Sequence, residues 1–457
     1  MTVAKKFFLG FVVLLNSTVL STASAQSADD NRALIEEQAK TIEELRQKIE
    51  QLEERVNTNP NVAGTPEQSG TAMSSSGDNP FARKMEGGEP IGSLNPVVLE
   101  GDFPNSILIP GPGRTSLRFG GFIKTVAWRD SHKEDGLVFF PATLGTRNDD
   151  SAGQSSISAD LTRLSLDARA TAENGTVRAF VEYDFNKNND SDFNLRHAFL
   201  EWADDKQQLL AGETWSSFMD MSAVPESIIE PTVSGAIFAR QAQIRYRRYL
   251  NDSWTWTLSA EDPDTNDVVA ENPIEGRTTI PDLISTIKFG RNTYHLQLGG
   301  IYRRLEADTD TGEDEASAWG LQGSGSISLT DKDRFVGGYV YGEGVGRYLL
   351  GISPSSAGLI TPDDDLKLRD NKGGYIGHAR SWNDKWRSNI AVGYAEADNI
   401  DGQPDDAFNK STFALGNVIY QFNEHLSIGL EYIYGERENN DGSDIDNQRV
   451  ALAFQLF

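Results

Sequence analysis

From about Thr115 to the last residue, apolar and polar positions alternate in runs of roughly ten residues. Sixteen such runs can be marked, joined by connections that are short and long by turns. In the fifteenth, Leu426, Ile428, Leu430, Tyr432 and Tyr434 fall on one side, and in the last Val450, Leu452, Phe454 and Leu456 do the same. A period of two with one apolar side is the signature of a strand with one face against hydrocarbon. Strict alternation of connection length predicts a closed barrel whose hairpins end alternately on the two sides of a membrane. The pattern predicts an all-β chain: a 16-stranded antiparallel transmembrane β-barrel over 114–457. Short connections carry Asn, Asp and Gly, as in Glu173-Asn174-Gly175, Asp204-Asp205-Lys206 and Asn251-Asp252-Ser253, which tight hairpins require. Residues 216–239, 306–315, 342–372, 397–409 and 435–446 are among the expected long loops.

Aromatic placement points the same way. All eight tryptophans sit at or close to expected strand ends, as do Tyr249, Tyr294, Tyr420 and Tyr434. Girdles at the two membrane interfaces place aromatics in this manner.

The chain before the barrel has its own pattern. Lys5 and Lys6 precede an apolar run over 7–15, and Ala23-Ser24-Ala25 forms a cleavage site, so 1–25 read as a secretory signal peptide. That run is too short to span a bilayer. Residues 26–57 read as an α-helical coiled coil placed in the periplasm, with Ile35, Ile42, Ile49 and Val56 at a and Gln38, Leu45 and Leu52 at d. Ile at a with Leu at d leans toward two strands. Residues 58–113 are rich in Gly, Pro, Ser and Asn and read as a flexible linker, with a packed or plug-like stretch near 90–112.

Composition narrows the function. The net charge of -26 argues against nucleic acid as a partner, and an exported chain with no cysteine must do without disulfides. The acids concentrate in the long connections, while arginine recurs on the strands. The five histidines are scattered, and no Ser/His/Asp spacing indicates an enzyme. Asp308-Thr309-Asp310-Thr311-Gly312 looks superficially like a calcium loop, but its glycine falls one place early and the closing Glu is missing. No metal and no cofactor is expected; acidic loops bridged to lipopolysaccharide by divalent cations are the better reading of those charges.

Candidate pore residues come from the polar strand faces. Arg163, Ser165, Asp167 and Arg169 share one face, Arg178 and Glu182 follow on the next strand, and Gln243, Arg245 and Arg247 alternate with apolar positions. Lys124, Arg303, His378 and Arg380 are weaker members. A guanidinium is always charged and grips carboxylates in a two-point fork, so a ladder of them lowers the barrier to anions. The plainer alternative is that these arginines pair with Asp167, Glu182 and their neighbours and merely stiffen the wall. The third long loop carries Asp220, Glu226 and Glu230 among apolar residues, as a segment folded into the channel would. Acids there, facing wall arginines, would set a transverse field across a constriction.

Three segments carry a family resemblance: 117–131 (LRFGGFIKTVAWRDS), 160–169 (DLTRLSLDAR) and 212–220 (GETWSSFMD). With the order signal, coiled coil, linker and barrel, the chain resembles the DcaP-like outer-membrane porins over nearly its whole length. The resemblance implies a homotrimer of sixteen-stranded barrels in outer-membrane lipid and lipopolysaccharide, passing small anionic solutes that include dicarboxylates. It also implies a trimeric coiled coil, against the two-stranded lean of the heptad. One departure is that Gln455 holds the third place from the end, where such barrels place an apolar residue. A diffusion porin for anions is the favoured reading. A phosphate-type anion channel and a structural tether joining the membrane to the cell wall through the coiled coil are the alternatives.

Overall fold

A computed structural model describes residues 101–109, 114–133, 136–145, 153–187, 190–230, 233–263, 268–269, 279–309, 312–352, 357–361, 365–401 and 403–457. All lie in the second of two compact units, Gly77–Phe457. The expected signal peptide, coiled coil and most of the linker fall outside the described residues.

Sixteen antiparallel strands form the wall. They are β1 Thr115–Asp130, β2 Arg163–Ala172, β3 Gly175–Lys187, β4 Asp190–Ala203, β5 Gln207–Trp215, β6 Arg240–Tyr249, β7 Trp254–Glu261 and β8 Asp282–Arg291. The second half comprises β9 Tyr294–Thr309, β10 Gly312–Ser328, β11 Asp333–Glu343, β12 Asp370–Ser381, β13 Trp386–Ala397, β14 Phe408–Gln421, β15 Leu426–Asn439 and β16 Asp444–Leu456. Each pairs with the next, and β1 closes on β16 with Lys124 opposite Gln455. Closure removes the open edges of the sheet, so that wall strands find their backbone partners in neighbouring strands, as hydrocarbon demands.

Two short strands complete the seam around β1. Ser155–Ser158 pairs with its far half, in line with β2, and between them Leu161 turns inward and is buried. Ile107–Ile109 pairs with the first residues of β1, below the point where β16 ends.

Side chains sort by face. Phe119 (72% exposed), Leu200, Ile244, Leu321, Ile390 and Leu430 project outward, as alternation requires. Trp254, Trp382 and Trp386 join them at strand ends, while the exposed Trp319 lies within β10 beside Tyr341 of β11. Trp128 and Trp215 do not belong to the girdle: Trp128 is buried in the interior, and Trp215 packs on the inward-folded Phe238. Both stand at a strand end where a loop folds back inside.

Among the described residues, the expected loops at 306–315 and 435–446 are instead largely strand. β9 runs to Thr309 and β10 starts at Gly312; β15 runs to Asn439 and β16 starts at Asp444. Strands that project past the hydrocarbon are wet on both faces, so alternation no longer marks them.

The interior is not uniformly polar. Residues 136–145, 216–230, 233–239 and 344–352 fold inward. Phe139, Ile228, Ile229 and Val233 pack on inward-facing Phe413, Leu415, Ile419, Ile433, Ala451 and Ala453 of β14, β15 and β16. A second cluster gathers Phe218, Ile237, Tyr348 and Leu349 against Ile284, Ile301 and Val340 of β8, β9 and β11.

Candidate functional site

The third long loop, 216–239, is tied to the interior wall over much of its circumference. Asp220 takes Lys288 Nζ at 2.9 Å from β8, His295 Nε2 at 2.7 Å from β9 and Ser324 Oγ at 3.2 Å from β10. The Ser222 carbonyl accepts from Arg334 of β11. Glu226 meets Arg387 of β13, Nη2 to Oε1 at 2.8 Å and Nε to Oε2 at 3.1 Å. Glu431 of β15 accepts Ser227 Oγ and the Ile228 amide. Lys124 Nζ of β1 donates to the Ile229 carbonyl at 3.1 Å. Glu230 then takes Arg163 Nη2 of β2 at 2.5 Å, with Arg196 Nη1 of β4 at 3.7 Å.

On the way back the loop touches backbone. Gly235 has a φ of 82°, and a Cβ there would stand 2.3 Å from both the Gly374 nitrogen and the Tyr394 carbonyl oxygen. Only glycine permits that approach at that φ. Ser234 Oγ bonds Ser411 Oγ of β14 at 2.9 Å.

These contacts set the loop's charges. Burial would push Glu230 up, but the positive charges of Arg163, Arg196 and Lys124 outweigh it and draw the carboxyl down to about 2. Burial likewise opposes ionisation of Asp220, and His295 and Lys288 overcome it, holding the acid well below the ordinary carboxylate range. Both are anions locked to cations at contact distance. The expected acidic face set across a gap from the arginines is therefore not what the loop presents: Asp220, Glu226 and Glu230 each touch the wall.

The expected arginines of β2 and β3 come together around one carboxylate. Asp167, 1% exposed, receives Nε and Nη2 of both Arg169 and Arg178, and Nη2 of Arg118 of β1, over 2.8–3.2 Å. Register explains this: Arg169 stands opposite Arg178, and Asp167 opposite Arg118. Arg245 and Arg247 lie on the interior face of β6, opposite Leu210 and Gln208. Arg245 Nη1 reaches the Trp215 carbonyl at 3.3 Å. Neither arginine has a carboxylate at hydrogen-bonding distance among the described residues.

Two expected pore residues do different work. Arg303, 0% exposed, is walled in by Asp282, the Gly344 carbonyl and the Pro263 carbonyl, and so is buried under a loop instead of lining water. Lys124 faces inward but is covered by the third loop. His378 and Arg380 sit on the outer face near the short turns, both bound to Asp333.

Sequence reasoning missed Arg196, Lys288, His295 and Arg387 as loop anchors. The first is turned inward by a bulge in the β3–β4 pairing beside Glu182, which alternation cannot foresee. Lys288 and Arg387 do sit at inward positions of strands already recognised. The fold also assembles Ser326 Oγ, His295 and Asp220 in a chain, at 2.9 and 2.7 Å. Lys288 binds Asp220 and Arg334 binds Ser326, so the chain serves as a clamp on the loop.

Comparison with known proteins agrees with this geometry. The structure is similar to that of the outer membrane channel DcaP of Acinetobacter baumannii, with a TM-score of 0.66 and 21% identity, over 78% of this chain and 99% of that one. It is also similar to OmpT, an outer membrane protein of Vibrio cholerae (TM-score 0.50, 14% identity, 76% of this chain and 99% of that one). An anion-selective porin from Comamonas acidovorans gives a TM-score of 0.50 at 8% identity, over 75% of this chain and 99% of that one. No curated protein matches the chain. The model of the family described as DcaP outer membrane protein matches residues 114–454, most of the sequence and essentially the whole wall. An outer-membrane channel of porin type, not an enzyme, is what these matches describe, and the chain belongs to the DcaP outer membrane protein family.

Proposed function

We propose that the barrel is a passive, anion-preferring diffusion pore for small solutes such as dicarboxylates. One observation carries this: on the interior faces of β1, β2, β3 and β6, guanidiniums outnumber the carboxylates they touch. Asp167 alone is shared by Arg118, Arg169 and Arg178, while Arg245 and Arg247 touch no carboxylate among the described residues. The acids of the third loop are already matched by contact cations, so they offer little counter-field. The net charge of -26 does not decide selectivity, because charges beyond a Debye length of about 8 Å are screened and most acids sit in the long loops.

The assembly we propose is a homotrimer in the outer membrane, with residues 26–57 as a periplasmic coiled coil, residues 1–25 removed on export and the acidic loops facing lipopolysaccharide. Succinate added to a single open channel in KCl should slow or interrupt the current. A current indifferent to succinate at any concentration would remove dicarboxylates from the solute class. Native mass spectrometry of the full chain should give a trimer.

A further inference from the structure

The segment just before the barrel reaches a charge cluster that the loop does not. Residues 101–106 form a turn, with the Gly101 amide on the Ser106 carbonyl at 2.9 Å and the Ser106 amide on the Phe103 carbonyl at 3.2 Å. Asp102 fixes it to the barrel: its amide donates to Ser116 Oγ at 2.7 Å and its carboxylate takes Arg114 Nε at 2.8 Å. This lays the Phe103 ring over two guanidiniums of the Asp167 cluster, 4.3 Å from Arg169 and 5.3 Å from Arg118. The third, Arg178, is backed by Phe180 at 4.7 Å and Phe199 at 5.4 Å.

The cluster is built to hold more negative charge than it contains. Three always-charged guanidiniums share one carboxylate, which leaves an excess of two positive charges. Asp167 engages only Nε and Nη2 of Arg169 and Arg178, and only Nη2 of Arg118. The Nη1 group of each therefore has no hydrogen-bond partner among the described residues. Side chains already ordered by a buried carboxylate and by aromatic rings lose little freedom when a ligand arrives. The cluster lies beside the short β2–β3 turn, at the end of the barrel from which the chain enters.

We propose that Arg118, Arg169 and Arg178 form a binding subsite for a small doubly charged oxyanion at this mouth, separate from the constriction loop, and that Phe103 is its removable cover. The inference rests on the anion-preferring reading of the pore and adds a place where a dianion pauses, together with a segment that competes for it.

Sulfate is the probe, with acetate as a singly charged control. Isothermal titration of sulfate into the detergent-solubilised full chain measures the site without any need for permeation. Phe103→Ala should tighten sulfate by about three- to ten-fold through removal of the cover. Adding Arg118→Gln and Arg169→Gln should weaken it by about ten-fold or more, since two charge-assisted donors are lost while the Arg178–Asp167 pair remains to hold the strands. Acetate should bind at least about ten-fold more weakly than sulfate. Sulfate affinity unchanged by the two glutamines would overturn the subsite, and affinity unchanged by Phe103→Ala would overturn the cover. A reversal potential showing cation preference, with sulfate binding still lost in the glutamine variant, would overturn the pore reading and leave the subsite standing.

Discussion

Interior positions of β14, β15 and β16 carry Phe413, Leu415, Ile419, Ile433, Ala451 and Ala453, whereas those of β2, β3 and β6 carry Arg163, Asp167, Arg169, Arg178, Arg245 and Arg247. The outer face is apolar on both sides, with Leu430 at 54% and Leu164 at 50% exposure. The two walls thus meet the same hydrocarbon and different interiors. On the first side, Phe139, Ile228 and Ile229 are folded inward by loops and buried, so the wall there behaves as half of a soluble core. On the other side charged groups line the wall, and in the function proposed above they set what passes. A barrel's inner face is polar where water reaches it, and loops decide where that is.

Substitutions on the two walls should therefore separate stability from selectivity. The largest effect on stability belongs to the packed wall: Phe413→Ala should cost about 3–5 kcal/mol, read by thermal unfolding in detergent, with ion preference unchanged. A shift of ion preference in that variant would erase the distinction. Next is the loop clamp. Arg163→Ala leaves the buried Glu230 with Arg196 at 3.7 Å as its nearest cation, and on the order of 2 kcal/mol should be lost, less than for a fully buried pair because Arg163 is partly exposed. Protease cleavage within 216–239 should appear in this variant and not in the parent.

Smaller is Gly235→Ala, where a left-handed φ of 82° and a close backbone neighbour together cost about 1–2 kcal/mol. Its unit conductance should rise or become noisy as the loop lifts; a steady, unchanged conductance would show that the glycine contact does not hold the loop. Smallest at neutral pH is the effect of acid. Glu230 is drawn down from an ordinary value of 4.5 to about 2, so its contribution is complete above about 4.5 and is lost as pH falls from there toward 2. Hydrogen exchange of the 216–239 amides should be flat from pH 7 to 5 once corrected for intrinsic rate, and should rise below that window.

The barrel was legible because strands with one face in hydrocarbon must repeat every second residue, as Leu426 to Tyr434 do. The hairpins near Thr309 and Asn439 were not, since beyond the hydrocarbon neither face needs to be apolar. Arg163, Arg169, Arg178, Arg245 and Arg247 lie on interior strand faces, yet alternation cannot say what covers an inward residue. Arg303 is inward too, and the Pro263 and Gly344 carbonyls close over it. Arg380 is only a weak candidate for the inner face because its strand alternates poorly, and pairing with Asp333 on β11 puts it outside. The loop's partners were the least legible part. Asp220 with Lys288 and Glu226 with Arg387 lie 68 and 161 residues apart in the chain, and only closure of the barrel brings them together.

The central claim is that the arginine wall, not the overall charge, sets what passes. It is tested most directly by the reversal potential of the full-length channel in a KCl gradient, alone and with Arg245→Glu combined with Arg169→Glu. The account predicts a potential of the sign set by chloride in the parent, and of the opposite sign in the double variant. A parent potential set by potassium, and unmoved by the two charge reversals, would contradict it.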